Sequence, residues 1–205
     1  MQNIDEDSTK YILAFGDSLT KGYYNFGLKY HPYSLRINKL FEENELDFKV
    51  IESGVNGEGT EKMLKRIKTF FQGENFPLKF SLVIIYAGAN DLGSMSYEKI
   101  AENILSLNKY VIECGLPTIL VTLPQSQCDI MYDFYGEKRI KVNEHLRKVA
   151  IEIEKLTICD LDNHIRFISM DNKERKKYWD DHIHFTPLGY DLIGEYIFNT
   201  IKKNL

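Results

Sequence analysis

Short apolar runs alternate along this chain with longer stretches in which apolar residues recur every third or fourth position. The runs lie at 11–15 (Tyr-Ile-Leu-Ala-Phe), 48–52, 80–86, 118–123 and 157–161. The stretch Phe80-Ser-Leu-Val-Ile-Ile-Tyr86 is nearly continuous in apolar residues, as a strand covered on both faces is. Between the runs, helical spacing puts Tyr33, Ile37, Leu40 and Phe41 on one face, and Met63, Leu64, Ile67, Phe70 and Phe71 on a second. Ile100, Ile104, Leu107 and Val111 repeat the spacing, as do Val142, Leu146, Val149 and Ile153. Thr186 followed by Pro187 predicts the N-cap and first position of a last helix running through Leu188, Leu192, Tyr196 and Phe198. Strands separated by helices of this length predict an α/β fold, a parallel sheet with helices on both faces. Repeats, low-complexity tracts and Pro/Gly-rich linkers are absent. The pattern is weakest at 1–9, 24–32, 124–136 and 169–180. Residues 1–9 are expected to form a flexible N-terminus, and 10–205 a single domain.

Such a sheet binds its ligands beyond the carboxyl ends of its strands. Ser18 follows the first strand, Gly57 the second and Asn90 the third, all on one edge. Asp181 and His184 lie after the last strand and just before the final helix, where they can fold over the same edge. A serine hydroxyl is a poor nucleophile at neutral pH and needs a base within hydrogen-bond reach. Histidine suits that role because imidazole titrates near neutrality, and a carboxylate on its other nitrogen fixes the tautomer. Oxygen charge developing on a substrate needs preorganised donors, and the Ser18 and Gly57 N–H groups and the Asn90 amide are candidates. Glycines at 57 and 88 allow close backbone approach. Each residue also has a plainer reading. Ser18 can cap a helix, Gly57 and Asn90 can be turn residues, and Asp17 and Asp91 suit structural support. Asp180 competes with Asp181, and His182 with His184. A metal pair at His182 and His184 lacks any further Cys/His cluster. His31, His145 and His164 read as surface or packing residues, and Tyr86 as core.

Composition narrows the partners. At 205 residues and 43% apolar, the chain can bury one good core. A formal net charge of −4 gives no reason to expect nucleic acid, and the basic cluster at 173–177 reads as a solvated helix or loop. No apolar stretch approaches the length of a transmembrane helix. The start, MQNIDEDSTK, is polar and acidic, unlike a signal peptide, so a cytoplasmic location is expected. Cys114, Cys128 and Cys159 are widely spaced and read as reduced, largely buried thiols.

Four segments carry a more specific signal: Gly16-Asp17-Ser18-Leu19, Gly54-Val55-Asn56-Gly57, Gly88-Ala89-Asn90-Asp91 and Asp181-His182-Ile183-His184. In this order they resemble the blocks of the SGNH, or GDSL, hydrolases, esterases and lipases that include the lysophospholipase L1-like enzymes. The resemblance spans residues 14 to 190. It implies a three-layer α/β/α sandwich around a five-stranded parallel sheet, flavodoxin-like in plan. It implies Ser18 as nucleophile, Asp181 and His184 as its triad partners, and Ser18, Gly57 and Asn90 as oxyanion donors, with Gly54 less favoured than Gly57. The activity implied is hydrolysis of small carboxylic esters without metal or organic cofactor, with acetylated sugars, lysophospholipids, thioesters and simple aryl esters all permitted as substrates; the lack of a long apolar lid in the sequence favours a short acyl group, with lysophospholipase or thioesterase action as the alternatives. Position 20 is Thr20, so there is no G-x-S-x-G elbow, and the early serine implies an open site. Tyr23, Tyr24, Phe26, Tyr30, Tyr132, Phe134, Tyr135 and Trp179 are candidate walls for it. Two other readings are a non-catalytic ligand-binding domain on the same scaffold and a flavodoxin-like nucleotide binder. Asp17 opposes the latter by placing negative charge where phosphate would sit.

Overall fold

A computed structural model describes residues 9–72 and 80–204. The expected flexible N-terminus, apart from Thr9, lies outside the described residues. In chain order the elements are β1 (Lys10–Gly16), α1 (Ser18–Lys21), a short hairpin of β2 (Tyr23–Tyr24) and β3 (Lys29–Tyr30), α2 (Tyr33–Glu43) and β4 (Phe48–Gly54). Next come α3 (Thr60–Gln72), β5 (Phe80–Tyr86), α4 (Tyr97–Glu113), β6 (Thr118–Val121), α5 (Cys128–Met131) and α6 (Asp133–Ala150). The chain finishes with β7 (Leu156–Cys159), α7 (Leu161–His164), α8 (Asn172–Tyr178) and α9 (Pro187–Lys202).

The main sheet has five parallel strands in the order β4-β1-β5-β6-β7. The chain winds outward from β1 to β4, then returns to β5 on the other side of β1 and continues outward. The point where the winding reverses, between β1 and β5, is where a doubly wound sheet opens a crevice at its carboxyl edge. Register brings Gly16, Gly54 and Tyr86 level there, one from each of the three adjacent strands. Helices α2 and α9 pack together and against β4 and β7, while α3, α4 and α6 form the other layer. Residues Ile12 to Phe15 and Val83 to Tyr86 are fully buried on both faces, which explains why these runs do not alternate.

Each predicted strand is present, with ends shifted by no more than two residues. The last helix starts as expected, Thr186 Oγ1 accepting from the Gly189 N–H at 3.2 Å with Pro187 in the first turn. Two expectations need correction. The face through Ile153 outruns its helix, because α6 stops at Ala150 and the chain turns through Lys155 at φ 64°. Only Cys159 is a buried thiol. Cys114 is exposed at the C-terminal cap of α4, and Cys128 is half-buried. The weak segment 24–32 contains the β2–β3 hairpin, whose two-residue strands are too short to show an alternating pattern. The basic cluster falls in α8, an exposed helix closed by a capping box between Asp171 and Glu174.

Gly194 sets the approach of α9 to α2. A Cβ there would stand 2.8 Å from the Tyr33 carbonyl oxygen and 2.9 Å from Arg36 Cβ. A helical glycine exchanged for alanine normally stabilises by up to about 1 kcal/mol. Here the obstacle is backbone, so the clash should outweigh that gain. Gly194→Ala should cost about 1–3 kcal/mol net, a fall of roughly 2–4 °C in Tm per kcal/mol in a domain this size. Thermal denaturation of the two proteins decides the sign.

Candidate active site

The site is assembled where β1 turns into α1. Gly16 is required at the turn: a Cβ would lie 2.2 Å from Thr20 Oγ1 and 2.3 Å from the Tyr86 carbonyl oxygen. Asp17 then caps α1, its Oδ1 accepting from the Leu19 N–H at 2.9 Å. The capping role open to Ser18 therefore falls to Asp17, and the Ser18 hydroxyl is left for another partner.

That partner comes from the segment before α9. Trp179 and Phe185 form an antiparallel bridge, and the loop between them folds back so that the Asp180 N–H donates to the His184 carbonyl at 2.9 Å. Asp181 sits inside this loop. Its Oδ1 accepts from the Ile183 and His184 N–H groups at 2.8 and 2.7 Å, and its Oδ2 lies 2.8 Å from His184 Nδ1. Burial alone would raise the Asp181 carboxyl, but the hydrogen bonds from the His184 ring and from the two N–H groups outweigh it, bringing it down to about 2. Ionised, Asp181 only accepts, so Nδ1 carries the proton and Nε2 of the neutral ring is bare. Ser18 Oγ is 2.9 Å from that Nε2 and donates to it. The Tyr23 ring packs on the imidazole at a centroid distance of 4.3 Å. His182 is exposed, and Asp180 accepts instead from the Asn25 N–H at 2.7 Å. The structure thus brings together Ser18, His184 and Asp181, and leaves His182 and Asp180 outside.

The three candidate oxyanion donors converge on the same edge. Asn90 Nδ2 donates to Asp17 Oδ2 at 3.0 Å and to the Glu58 carbonyl at 3.2 Å, which fixes the amide with its nitrogen inward. Gly57 is exposed at φ 70°, with nothing within 4 Å of a would-be Cβ, and among the described residues no group accepts from its N–H. Gly54 differs: its N–H is engaged by the Glu52 carboxylate, and a Cβ would meet the Asp17 carbonyl oxygen at 2.5 Å. Gly57 therefore has the free donor and Gly54 the packing role. The Ser18 N–H belongs to the first turn of α1, where no helical acceptor exists. Asp17 is buried beneath this group. Burial raises its carboxyl to about 7, against the opposing pull of the Leu19 N–H and the nearby His184.

Arg66 and Glu58 escaped the sequence reading. The guanidinium of Arg66 donates to both oxygens of Glu58 at 2.7–3.0 Å, to Ser53 Oγ at 3.0 Å and to the Gly16 carbonyl at 3.0 Å, and lies 3.7 Å from the Phe15 ring centroid. The signal was present: Arg66 falls on the apolar stripe of Met63, Ile67 and Phe70, where a cation needs a partner. Arg139, aligned with Val142 and Leu146 in the same way, is buried between Asp129 and Asp162. Asp91 has the structural role expected of it, its Oδ2 accepting from the Thr60 N–H at the start of α3 at 2.8 Å. Of the other histidines, His31 pairs with Asp191 and His164 stacks on Tyr196.

Among the described residues no three His, Cys, Asp or Glu side chains converge as metal ligands would, and no helix is long and apolar enough to cross a membrane. No curated protein matches the chain in sequence. Among solved structures, the lipase/acylhydrolase from Enterococcus faecalis superposes with a TM-score of 0.77 at 23% identity, covering 96% of this chain and 97% of that one. A carbohydrate acetylesterase family member from Sinorhizobium meliloti gives 0.74 at 18% identity, over 95% and 98% of the two chains. The psychrotrophic esterase EstA from a Pseudoalteromonas species gives 0.71 at 18% identity, over 95% and 97%. At these identities the likeness is one of fold. A sequence profile of the GDSL-like lipase/acylhydrolase family matches residues 14–192, nearly the whole domain, and by that match this chain belongs to the family and is a carboxylic ester hydrolase.

Proposed function

We propose that the protein is a serine esterase that works through an acyl-enzyme on Ser18. One observation carries this: the unbroken chain of contacts from Ser18 Oγ to His184 Nε2 at 2.9 Å and from His184 Nδ1 to Asp181 Oδ2 at 2.8 Å. Ser18 attacks the ester carbonyl carbon while His184 Nε2 takes the hydroxyl proton. Asp181 holds the ring and stabilises the imidazolium. The oxyanion is held by the Ser18 and Gly57 N–H groups and by Asn90. Of the two Asn90 contacts, that to the Glu58 carbonyl is the longer, and the Nδ2–H that makes it is the one the oxyanion would share. The tetrahedral intermediate collapses as His184 returns the proton to the leaving alkoxide oxygen. Water, deprotonated by the same nitrogen, then releases the acid.

The acyl group on this reading is short. Leu19 and Ala89, chain neighbours of Ser18 and Asn90, line a cavity of about 10 Å³ with Leu123, Tyr135 and Ile183. That is the space of about one water-sized group, too little for a long chain. A fluorophosphonate label at Ser18, with turnover of p-nitrophenyl acetate, tests the reading. Unlabelled, inactive protein would favour a binding domain instead.

Ser18→Ala and His184→Ala should each lower kcat on p-nitrophenyl acetate by at least about 10³, with little added loss in the double variant, because the two act as a unit. His182→Ala should stay within a few-fold of wild type. The reverse ranking of the two histidine variants would reassign the base.

The pH dependence has two parts. Activity should rise across the window in which imidazole loses its proton, about pH 5–8, and a flat kcat/KM profile there would count against a histidine base. Stability responds at lower pH. A carboxyl depressed in the folded state stabilises above its unfolded pKa and loses that contribution as pH falls through the folded value. For Asp181 the window runs from about pH 4 down to about 2. Between those limits, Tm should fall more steeply for wild type than for Asp181→Asn.

Asn90→Ala should lower kcat by roughly 10²–10³ with a smaller change in KM, because its donation strengthens as charge develops. Asn90→Asp should be at least as harmful. Because either change also alters the partner of Asp17, Tm is measured on the same samples. An unchanged kcat in folded Asn90→Ala would remove Asn90 from the oxyanion hole.

A further inference from the structure

The β2–β3 hairpin lies across the candidate site rather than beside it. One end is tied to the histidine loop, through the Asn25 N–H to Asp180 Oδ2 at 2.7 Å. The other is tied to the oxyanion loop, through Asn56 Nδ2 to the Tyr30 hydroxyl at 3.1 Å. Between the ties, the Tyr23 ring covers the His184 imidazole. Gly27 presses on that same ring so closely that a Cβ would lie 2.6 Å from Tyr23 Cε2. The turn therefore stands next to the nitrogen pair of His184, one aromatic ring away.

At this turn the chain does something costly. Asn25 and Phe26 are both left-handed, at φ 51° and 57°; asparagine tolerates this conformation, but at Phe26 it is strained. The result is to hold two apolar side chains in solvent. Phe26 is 88% exposed, the most of any large apolar side chain among the described residues, and Leu28 is 79% exposed. Strained backbone that the surrounding structure over-determines is found at ligand clamps, and an exposed apolar pair beside a reactive centre is a place for apolar ligand surface.

We infer that Phe26 and Leu28 form the subsite for the alcohol part of the ester, and that the preferred substrates are short-acyl esters of extended apolar alcohols. The inference rests on the esterase reading above. In that reading the leaving oxygen must face His184 Nε2, which returns its proton. The group attached to that oxygen therefore departs on the His184 side, where Tyr23 and the hairpin stand. The acyl group on the same reading takes the small cavity that Leu19 and Ala89 line with Ile183 of the histidine loop. The two halves of the substrate then meet different environments, a confined one for the acid and an open apolar one for the alcohol.

Two ester series, followed by acid release, test this. Ethyl and hexyl acetate differ only in the alcohol, with leaving groups of nearly equal basicity; ethyl acetate and ethyl hexanoate differ only in the acid. Wild type should favour hexyl over ethyl acetate roughly tenfold in kcat/KM, the effect of covering about half the surface of four methylenes. The double variant Phe26→Ser/Leu28→Ser should bring that ratio down to about two or less, through KM, while the ratio within the acid series stays as in wild type. A merely structural loss would scale both alcohols alike and leave the ratio unchanged, and that result overturns the inference. So does a shift in the acid series instead, or a wild-type preference for acetylated xylose over hexyl acetate. Wild-type protein that hydrolyses none of the esters and takes no fluorophosphonate label at Ser18 overturns the esterase reading itself, and this subsite with it. Labelled, active protein with equal rates on the two acetates overturns the subsite alone.

Discussion

Arg66 holds together three segments that meet at the carboxyl edge of the sheet. Its guanidinium reaches the last carbonyl of β1, Ser53 near the end of β4 and the carboxylate of Glu58 in the loop beyond, and it stacks on Phe15. The Glu58 carbonyl in turn accepts from Asn90, after β5. Ends of three adjacent strands are thereby locked to one planar cation, which lysine could not replace because it lacks the fork of donors. Removing one partner of a fully buried pair typically costs about 3–5 kcal/mol, most of it the uncompensated charge left behind, and the partial exposure of Arg66 puts the cost here below that. The clasp lies beneath the loops that carry the candidate donors Ser18, Gly57 and Asn90, although Arg66 touches none of the three.

Two carboxyls near His184 are driven in opposite directions by their surroundings. Asp17 is buried, and burial lifts it to about 7. Asp181 is part-exposed and collects three donors, which bring it down to about 2. Both adjoin the same short serine–histidine pair, yet at neutral pH only Asp181 is fully committed to the charged form. Separation of this kind lets two carboxyl groups close together serve different ends: one is charged against the imidazole, and the other orients an amide and caps a helix at little electrostatic cost.

The surroundings of the serine are asymmetric. On the side of α5 and α6, Arg139 is buried between Asp129 and Asp162 and also donates to the Leu123 carbonyl, which pins the chain after β6 against the floor of the site. On the hairpin side the backbone is strained to keep Phe26 and Leu28 in water. A rigid floor and an apolar rim suit a ligand held firmly at one end and gripped by loose apolar contact at the other.

Much of this was legible in the sequence, for identifiable reasons. Strand positions follow from apolar runs, because the strands are buried on both faces. Thr186 and Pro187 marked the start of α9, because a cap is a local matter. The order of the elements alone put Ser18, Gly57 and Asn90 on one edge. The choice of His184 over His182 and of Asp181 over Asp180 was open on the residues alone. The fold-back of the loop between Trp179 and Phe185 is what brings His184 and Asp181, rather than His182 and Asp180, to Ser18, a tertiary event that one-dimensional spacing does not encode. The partners that Arg66 finds, the capping by Asp17 that leaves the Ser18 hydroxyl to His184, and the placing of the hairpin across the site were likewise settled only in three dimensions. Each depends on segments tens of residues apart arriving at the same strand ends, and nothing in local pattern carries that information.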